Sequence, residues 1–174
     1  LVVGAEKLSD LVDWKDRNSC ILFGDGAGAV VLEAEPENTY IQVSHSEGEK
    51  GQALVSTKNG FIQMDGRAVF EFAVSRVPEV IREVLEKGGV EKEEVDLFLL
   101  HQANRRIITA AARRLGIGEE KFPMNMEEYG NTSAASIPIL LDEQNRNGKL
   151  KRGKLLVLSG FGGGLTYGAS LLRW

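Results

Sequence analysis

His101 has a type and a position in the sequence that suggest chemistry. It directly follows an apolar run, residues 95–100, that predicts a buried strand, and it precedes a predicted helix at residues 104–115. Ligands of open α/β sheets bind at the carboxyl ends of strands, and a nearby helix amino terminus favours a neutral imidazole. A neutral imidazole can donate one N–H to a developing oxyanion. A hydrogen-bonded structural histidine fits the same position, so the residue alone leaves both interpretations open.

Asn131 offers a second donor of the same kind. It lies in residues 130–136, Gly-Asn-Thr-Ser-Ala-Ala-Ser, just before a predicted helix at residues 133–147. An asparagine amide can donate a hydrogen bond to an oxyanion. Turn and capping chemistry also suits a Gly-Asn-Thr-Ser segment, and this structural alternative remains open for the residue taken alone.

Residues 161–164, Phe-Gly-Gly-Gly, form a predicted loop between two strands. Three glycines permit a ligand to approach the backbone closely and leave N–H groups free to point at it. A tight β-turn is the alternative.

One face of the predicted helix at residues 104–115 is cationic. At about 100° per residue, arginines fall on one half of the helix and apolar residues on the other; the arginines are Arg105, Arg106, Arg113 and Arg114. This face could receive a phosphate or an acidic partner, or it could simply be solvated.

The apolar periodicity predicts the elements that must position these residues. From residue 41 the predicted order is β-α-β-α-β-α-β-β, with strands at residues 41–46, 95–100, 121–125, 154–160 and 165–173 and helices at residues 66–87, 104–115 and 133–147. Alternating strands and helices predict an α/β layered fold with a largely parallel sheet. Pro78 is expected to kink or interrupt the first helix. Residues 47–60 read as a solvated loop, and Cys20 as a small core residue opening an apolar strand.

Bulk composition excludes several classes of protein. The chain has 174 residues, 43% of them hydrophobic and 26% charged, which is typical of a globular protein. A net charge of −4 gives no sign of nucleic-acid binding. One cysteine and two histidines can form neither an internal disulfide nor a plausible structural zinc site, so no metal is expected. With no signal peptide or membrane-spanning run in view, we expect a cytoplasmic protein.

A segment at the start of the chain resembles a segment at its end. Residues 1–34 and residues 155–173 each combine an apolar strand, a Phe-Gly-x-Gly turn and a second strand that opens with Gly-Ala. Residue 1 also falls inside a strand pattern, with no initiator methionine. We therefore expect residues 1–36 to be the tail of one structural unit and residues 37–174 to be a second unit, with the start of the first one lying outside this sequence.

As a set, these segments resemble one family. His-Gln-Ala-Asn at residues 101–104, the segments at residues 130–136 and 161–164, and Phe-Gly-Asp-Gly-Ala-Gly-Ala at residues 23–29 resemble β-ketoacyl-acyl-carrier-protein synthase III. The resemblance covers essentially the whole chain and matches the carboxyl-terminal half of that family. It implies a thiolase-like layered fold, a C-terminal βαβαβαββ half preceded by the last strands of the N-terminal half.

The resemblance also implies a reaction. The family joins an acyl group from acyl-coenzyme A, acetyl or short branched, to malonyl-acyl carrier protein in the first elongation step of type II fatty acid synthesis. A Cys thiolate takes the acyl group, and His and Asn stabilise the enolate left by decarboxylation. The coenzyme A thioester is a substrate, and no cofactor is expected. In this chain His101 and Asn131 match the enolate-stabilising positions, and the Gly163 N–H matches an oxyanion donor for the acyl-Cys.

Further residues match binding positions of the family. The resemblance implies that the tunnel for coenzyme A and phosphopantetheine is lined by Arg17, Gly66, Phe70, Ala103, Asn104, Arg106 and Phe161. It implies that the acidic carrier protein docks at Arg105, Arg106, Arg113 and Arg114. Glu71 adds a negative charge to this docking rim.

The family nucleophile is expected in the missing first half, because Cys20 falls at the wrong position. The family resemblance implies a homodimer in the full enzyme, whereas the isolated chain is expected to be inactive and to expose apolar edges. Three alternatives remain: a non-catalytic half-domain that binds acyl-coenzyme A or a carrier protein, a related synthase of secondary metabolism, and a dimerisation fragment.

Overall fold

The fold is known from a computed structural model that describes residues 1–17, 19–35, 40–56 and 60–174. The strands are β1 Val2–Glu6, β2 Gly26–Val30, β3 Ile41–Ser46, β4 Leu54–Ser56, β5 Ile62–Met64, β6 Leu97–Leu100, β7 Leu155–Gly162 and β8 Thr166–Arg173. The α-helices are α1 Gly66–Gly88, α2 Arg105–Leu115, α3 Met126–Tyr129 and α4 Ser136–Arg146. The expected boundary between residues 36 and 37 lies outside the described residues.

Four strands form the main sheet in the order β3-β8-β7-β6. Only β6 and β7 are parallel; β8 runs antiparallel to both β7 and β3. The expectation of a largely parallel sheet is therefore wrong. The reason is the turn after β7, which is too short for a crossover, so β8 must return antiparallel.

The main sheet is covered on both faces. One apolar cluster, which includes Phe98 and Leu100, lies between the sheet and helices α1 and α2. A second cluster, which includes Leu99 and Leu156, lies between the opposite face and α4. Successive β6 side chains alternate between the two clusters, as the pleat of a strand requires. On the far side of α4, β1 and β2 form an antiparallel pair in contact with that helix.

The ends of the helices predicted at residues 66–87 and 104–115 are confirmed. Helix α1 begins after Asp65, whose carboxylate accepts hydrogen bonds from the Arg67 and Ala68 N–H groups at 3.1 and 3.0 Å. Helix α2 begins after Asn104, whose side chain caps the Arg106 N–H at 2.9 Å. Both helices end at left-handed glycines, Gly89 (φ 62°) and Gly116 (φ 67°), because this conformation costs glycine little.

Two local predictions are wrong, and a third is wrong in one of its two forms. Helix α1 continues through Pro78, which is buried in it, so the expected interruption does not occur, and the alternative of a kink stays a prediction. Residues 121–125 form no strand; Phe122 instead stacks on Phe98 with ring centroids 4.8 Å apart, and a short apolar run does not distinguish a strand from a packed turn. Cys20 lies in a turn and is only partly buried, so it neither opens a strand nor belongs to the core.

The predicted loop at residues 47–60 is also partly regular. It contains a 3₁₀ helix at Gly48–Ala53 and strand β4, which pairs antiparallel with β5; residues 57–59 lie outside the described residues. None of the helices in the described parts of the chain is long and apolar enough to cross a bilayer.

Candidate active site

A cavity of about 930 Å³ lies at the carboxyl end of β6, between α1, α2 and the β4–β5 pair. A volume of this size is typical of small-molecule sites. The cavity brings together nine of the ten catalytic and tunnel residues expected from the sequence: His101, Asn131, Gly163, Gly66, Phe70, Ala103, Asn104, Arg106 and Phe161.

His101 follows the last residue of β6, as predicted, and its ring is fixed on two sides. Its Nδ1 lies 2.7 Å from the Ser136 Oγ at the start of α4. The Phe161 ring meets it edge-on, with the centroids 5.5 Å apart. Burial lowers the pKa of His101 from 6.5 to about 4, so the imidazole is neutral at pH 7. The expectation of a neutral histidine is thus supported, and burial is the cause that lowers the pKa.

Asn131 is held through its main chain by the first region of the protein. Its N–H donates to the Leu22 carbonyl, and its carbonyl accepts from the Gly24 N–H, both at 2.9 Å. Its side-chain Oδ1 accepts from the Ser133 N–H at 2.9 Å. Because a backbone N–H can only donate, the amide oxygen faces Ser133 and the Nδ2 donor points elsewhere. Ser133 itself has φ 49°, a left-handed conformation unusual for serine that closes this turn.

Gly163 lies in the turn between β7 and β8 and contributes to the cavity wall. A Cβ added there would lie 3.5 Å from the Leu54 carbonyl oxygen, so β4 approaches this turn closely. The turn is braced by the Thr166 hydroxyl, which donates to the Gly163 carbonyl at 3.1 Å.

Two family models match this chain. Residues 85–174 match the model described as 3-oxoacyl-[acyl-carrier-protein (ACP)] synthase III C terminal. Residues 1–49 match the model described as 3-oxoacyl-[acyl-carrier-protein (ACP)] synthase III. The chain belongs to the 3-oxoacyl-[acyl-carrier-protein] synthase III family.

Relatives agree in sequence and structure. β-Ketoacyl-[acyl-carrier-protein] synthase III of Aquifex aeolicus is 53% identical over 100% of this chain and 57% of its own length. A crystal structure of the Aquifex aeolicus synthase superposes with a TM-score of 0.95 at 52% identity, covering 99% of this chain and 57% of that one. The synthase III of Pseudomonas aeruginosa gives 0.93 at 39% identity, with 99% and 56% covered. A priming β-ketosynthase from the R1128 polyketide pathway gives 0.87 at 33%, with 99% and 56% covered.

These matches confirm the thiolase-like layered fold of the family. The chain spans a little over half the length of the curated relative it matches.

The mouth of the cavity carries the predicted cation and aromatic ring together. The Arg106 guanidinium lies 4.7 Å from the centre of the Phe70 ring, a cation–π distance. Glu71, expected to weaken a cationic rim, pairs with Arg67 at 2.8 Å. Its charge is therefore partly offset on α1 itself.

The cationic face of α2 is confirmed as exposed, but its arginines differ in their surroundings. Arg105 pairs with Glu127 at 2.7 Å. Arg114 donates to the Val74 carbonyl at 2.8 Å, which ties α2 to α1. Among the described residues Arg106, Arg113 and Arg114 form no ion pair, so these three carry the uncompensated charge of the face.

Two further residues that the sequence analysis discusses, Arg17 and Cys20, do not line the cavity. Arg17 is exposed and does not line it, so its assignment to the tunnel stays a prediction. Cys20 lines neither this cavity nor a smaller one of about 510 Å³ that lies against the other side of His101.

The sequence did not predict some of the residues that line the cavity. The β4–β5 pair supplies one wall through Leu54, Val55, Ile62 and Met64. The signal available in the sequence was two short apolar segments, at residues 53–55 and 61–64, within a largely polar stretch. Ser136 was missed as a partner of His101 because nothing local to either residue connects them.

Proposed function

We propose that this chain supplies the enolate-stabilising part of a β-ketoacyl-acyl-carrier-protein synthase III. The observation that carries the proposal is that two neutral donors, His101 and the Asn131 amide, line one cavity. Both can stabilise negative charge without carrying charge themselves. In a cavity shielded from water such preorganised donors act strongly on an oxyanion.

The proposed reaction proceeds in two stages. A cysteine thiolate displaces coenzyme A from acyl-coenzyme A and holds the acyl group as a thioester. The malonyl thioester then loses carbon dioxide, and the bonding pair of the broken C–C bond moves into an enolate whose oxygen accepts from His101 and Asn131. The enolate carbon attacks the acyl thioester, a new C–C bond forms and the cysteine thiolate leaves. The Gly163 N–H would hold the oxyanion of that tetrahedral step.

We place the acyl-carrying cysteine outside these 174 residues. Cys20 is the single cysteine of the sequence, and it lines neither cavity next to His101. The isolated chain is accordingly proposed to be inactive in condensation. We also propose, by inference from the family, that the complete enzyme is a homodimer and acts in the cytoplasm.

The donors are tested by separating the two stages. The chain is co-expressed with the segment of the Aquifex aeolicus synthase that it does not cover, and labelling by radioactive acetyl-coenzyme A is compared with condensation on malonyl-acyl carrier protein. We expect Asn131→Ala and His101→Ala to retain labelling and to lose condensation by about 10²–10³-fold, as for removal of an oxyanion donor.

The matched control is Asn145→Ala, an exposed asparagine of α4 outside the cavity, which should condense at the wild-type rate. If His101→Ala and Asn131→Ala condense as fast as this control, the proposed roles are wrong. If no label or decarboxylation is ever detected with the complementing segment present, the non-catalytic binding half-domain gains support.

Carrier-protein docking is proposed for the cationic face of α2. Arg113→Glu should raise KM for malonyl-acyl carrier protein several-fold while leaving KM for malonyl-coenzyme A unchanged, since only the carrier protein reaches this face. The effect should shrink in high salt. Arg152→Glu is the control, because Arg152 is an exposed arginine that lies outside α2, in the segment before β7. Equal effects of the two variants would argue against docking at α2.

A second candidate is a priming role in polyketide synthesis. It is favoured by the 33% identity to the R1128 priming synthase and remains within the same chemistry. Assays with a fatty-acid carrier protein and a polyketide carrier protein separate the two. A preference of tenfold or more for the polyketide carrier would move the assignment to secondary metabolism.

A further inference from the structure

Ser136 is the one side chain whose polar atom lies within hydrogen-bond distance of the His101 ring among the described residues. Its Oγ is 2.7 Å from Nδ1, and the residue is only 2% exposed. The same oxygen receives a long hydrogen bond, 3.4 Å, from the Gln102 N–H. Ser136 is the first residue of α4, so the helix fixes where this hydroxyl sits.

The hydroxyl proton can be assigned by counting donors and acceptors. A serine hydroxyl carries one proton and has two lone pairs. Within the described residues the hydroxyl reaches one acceptor, the His101 Nδ1. If Nδ1 itself carried a proton, two N–H groups would face the oxygen and the hydroxyl proton would have no acceptor among the described residues, an arrangement that native proteins avoid. Nδ1 is therefore the acceptor, and the imidazole proton resides on Nε2.

We propose that Ser136 is a positioning residue that holds neutral His101 in the tautomer protonated at Nε2. The role of that tautomer in turnover rests on the proposed function, because only there does Nε2–H donate to the enolate oxygen. The low pKa of His101 agrees with this assignment, because only a neutral imidazole exists as two tautomers.

The same short segment orients the other donor. Asn131 directs its Nδ2 away from the Ser133 N–H, because its Oδ1 accepts from that group. Residues 131–136 thus set both donors, one through a backbone N–H and one through a hydroxyl. This explains physically why the segment combines a left-handed serine with the start of a helix.

The tautomer can be measured without any reaction. Two-bond ¹H–¹⁵N correlations of the imidazole distinguish Nδ1 from Nε2 protonation, and the protein has only two histidines. In a His45→Gln background, the only imidazole signals that remain are those of His101. We expect a single Nε2–H form in the chain with wild-type Ser136, and a mixture with a detectable Nδ1–H fraction in Ser136→Ala.

The matched control is Ser159→Ala, which removes another buried serine hydroxyl, one that donates to the Gly168 carbonyl at 2.9 Å. It should leave the His101 tautomer unchanged. Ser136→Thr, which keeps the hydroxyl, should restore the single Nε2–H form and guards against a general loss of structure in Ser136→Ala. Thermal melts of all variants check their folding.

Kinetics then test the consequence with the complementing segment present. We expect Ser136→Ala to lower kcat for malonyl decarboxylation about tenfold with little change in KM, because the correct donor matters most for the developing enolate.

An Nδ1–H form with wild-type Ser136, or an unchanged pure Nε2–H form in Ser136→Ala, would overturn the inference. Failure of the proposed function looks different: the tautomer would respond to Ser136 as expected, while His101 and Asn131 variants would leave turnover unaffected.

Discussion

Residues 40–174 enclose most of their large apolar side chains, whereas the first 35 residues leave most of theirs exposed. Among the described residues, eight of the eleven exposed large hydrophobic side chains belong to the first region: Leu1, Val2, Val3, Leu11, Trp14, Ile21, Val31 and Leu32. The second region instead buries phenylalanine, leucine, isoleucine and valine side chains on both faces of the main sheet.

The backbone of the first region approaches the second region closely at several glycines. A Cβ at Gly24 would lie 2.1 Å from the Tyr129 carbonyl oxygen, and one at Gly4 would lie 2.5 Å from the Ala134 carbonyl. These contacts bring residues 22–24 against Asn131. The second region therefore contains most of the buried apolar core, and the first helps to place a donor.

The largest expected effect tests the side-chain-packed region. Phe98 is fully buried and stacked on Phe122, so Phe98→Ala should lower the free energy of unfolding by about 3–5 kcal/mol. Ile21→Ala, at a side chain 79% exposed, should change it by less than about 0.5 kcal/mol. Urea denaturation of both variants makes the measurement. Equal losses would break the comparison between the two regions.

The backbone contact of the first region is tested at Gly24. Gly24→Ala forces a methyl group against the Tyr129 carbonyl and should cost about 1–3 kcal/mol by overpacking. It should also speed amide hydrogen exchange at Asn131, whose N–H bonds to Leu22. Gly48→Ala is the matched control, because a Cβ there meets nothing within 4 Å. If both variants are neutral, the close approach does not hold the regions together.

The lowered pKa of His101 gives the second region a pH dependence. The folded pKa of His101 is about 4, below the ordinary value of 6.5, so the unfolded chain binds more protons between these values. Its contribution to stability is complete above about pH 6.5 and is lost as pH falls towards 4, at up to about 1.4 kcal/mol per pH unit.

Unfolding titrations of the wild-type chain and His101→Gln over this range isolate that contribution from the carboxylates. The wild-type slope should be the steeper of the two. Parallel curves would show that burial of His101 does not depress its pKa.

The smallest effect on folding is expected at the exposed apolar surface. Val31 is 81% exposed, so the isosteric Val31→Thr should change the free energy of unfolding by less than about 0.5 kcal/mol. It should nevertheless reduce self-association in sedimentation experiments, because contiguous exposed apolar surface promotes contact between copies. A chain that stays monomeric at high concentration with Val31 intact would count against this surface as an interface.

Much of the local structure could be predicted because it depends on neighbouring residues. Asn104 and Gly116 delimit α2 by capping chemistry, and the run before His101 is a strand, shorter at Leu97–Leu100 than the predicted 95–100. The strand predicted at residues 121–125 failed because Phe122 packs on Phe98, 24 residues earlier, and a local pattern does not contain that contact. Cys20 failed for a related reason: its apolar neighbours suggested a strand, but that segment turns and places Leu22 and Gly24 against Asn131.

The sequence by itself determined the kinds of donor present and their places at the ends of elements. His101 after a strand and Asn131 before a helix follow from periodicity and turn chemistry, and the motifs around them determined the family resemblance. Only the tertiary structure decided that both line one cavity, that burial keeps His101 neutral, and that Ser136, 35 positions away, faces its Nδ1. The reason is physical: a side chain's type is local, whereas its solvent exposure and hydrogen-bond partner depend on which distant elements pack beside it.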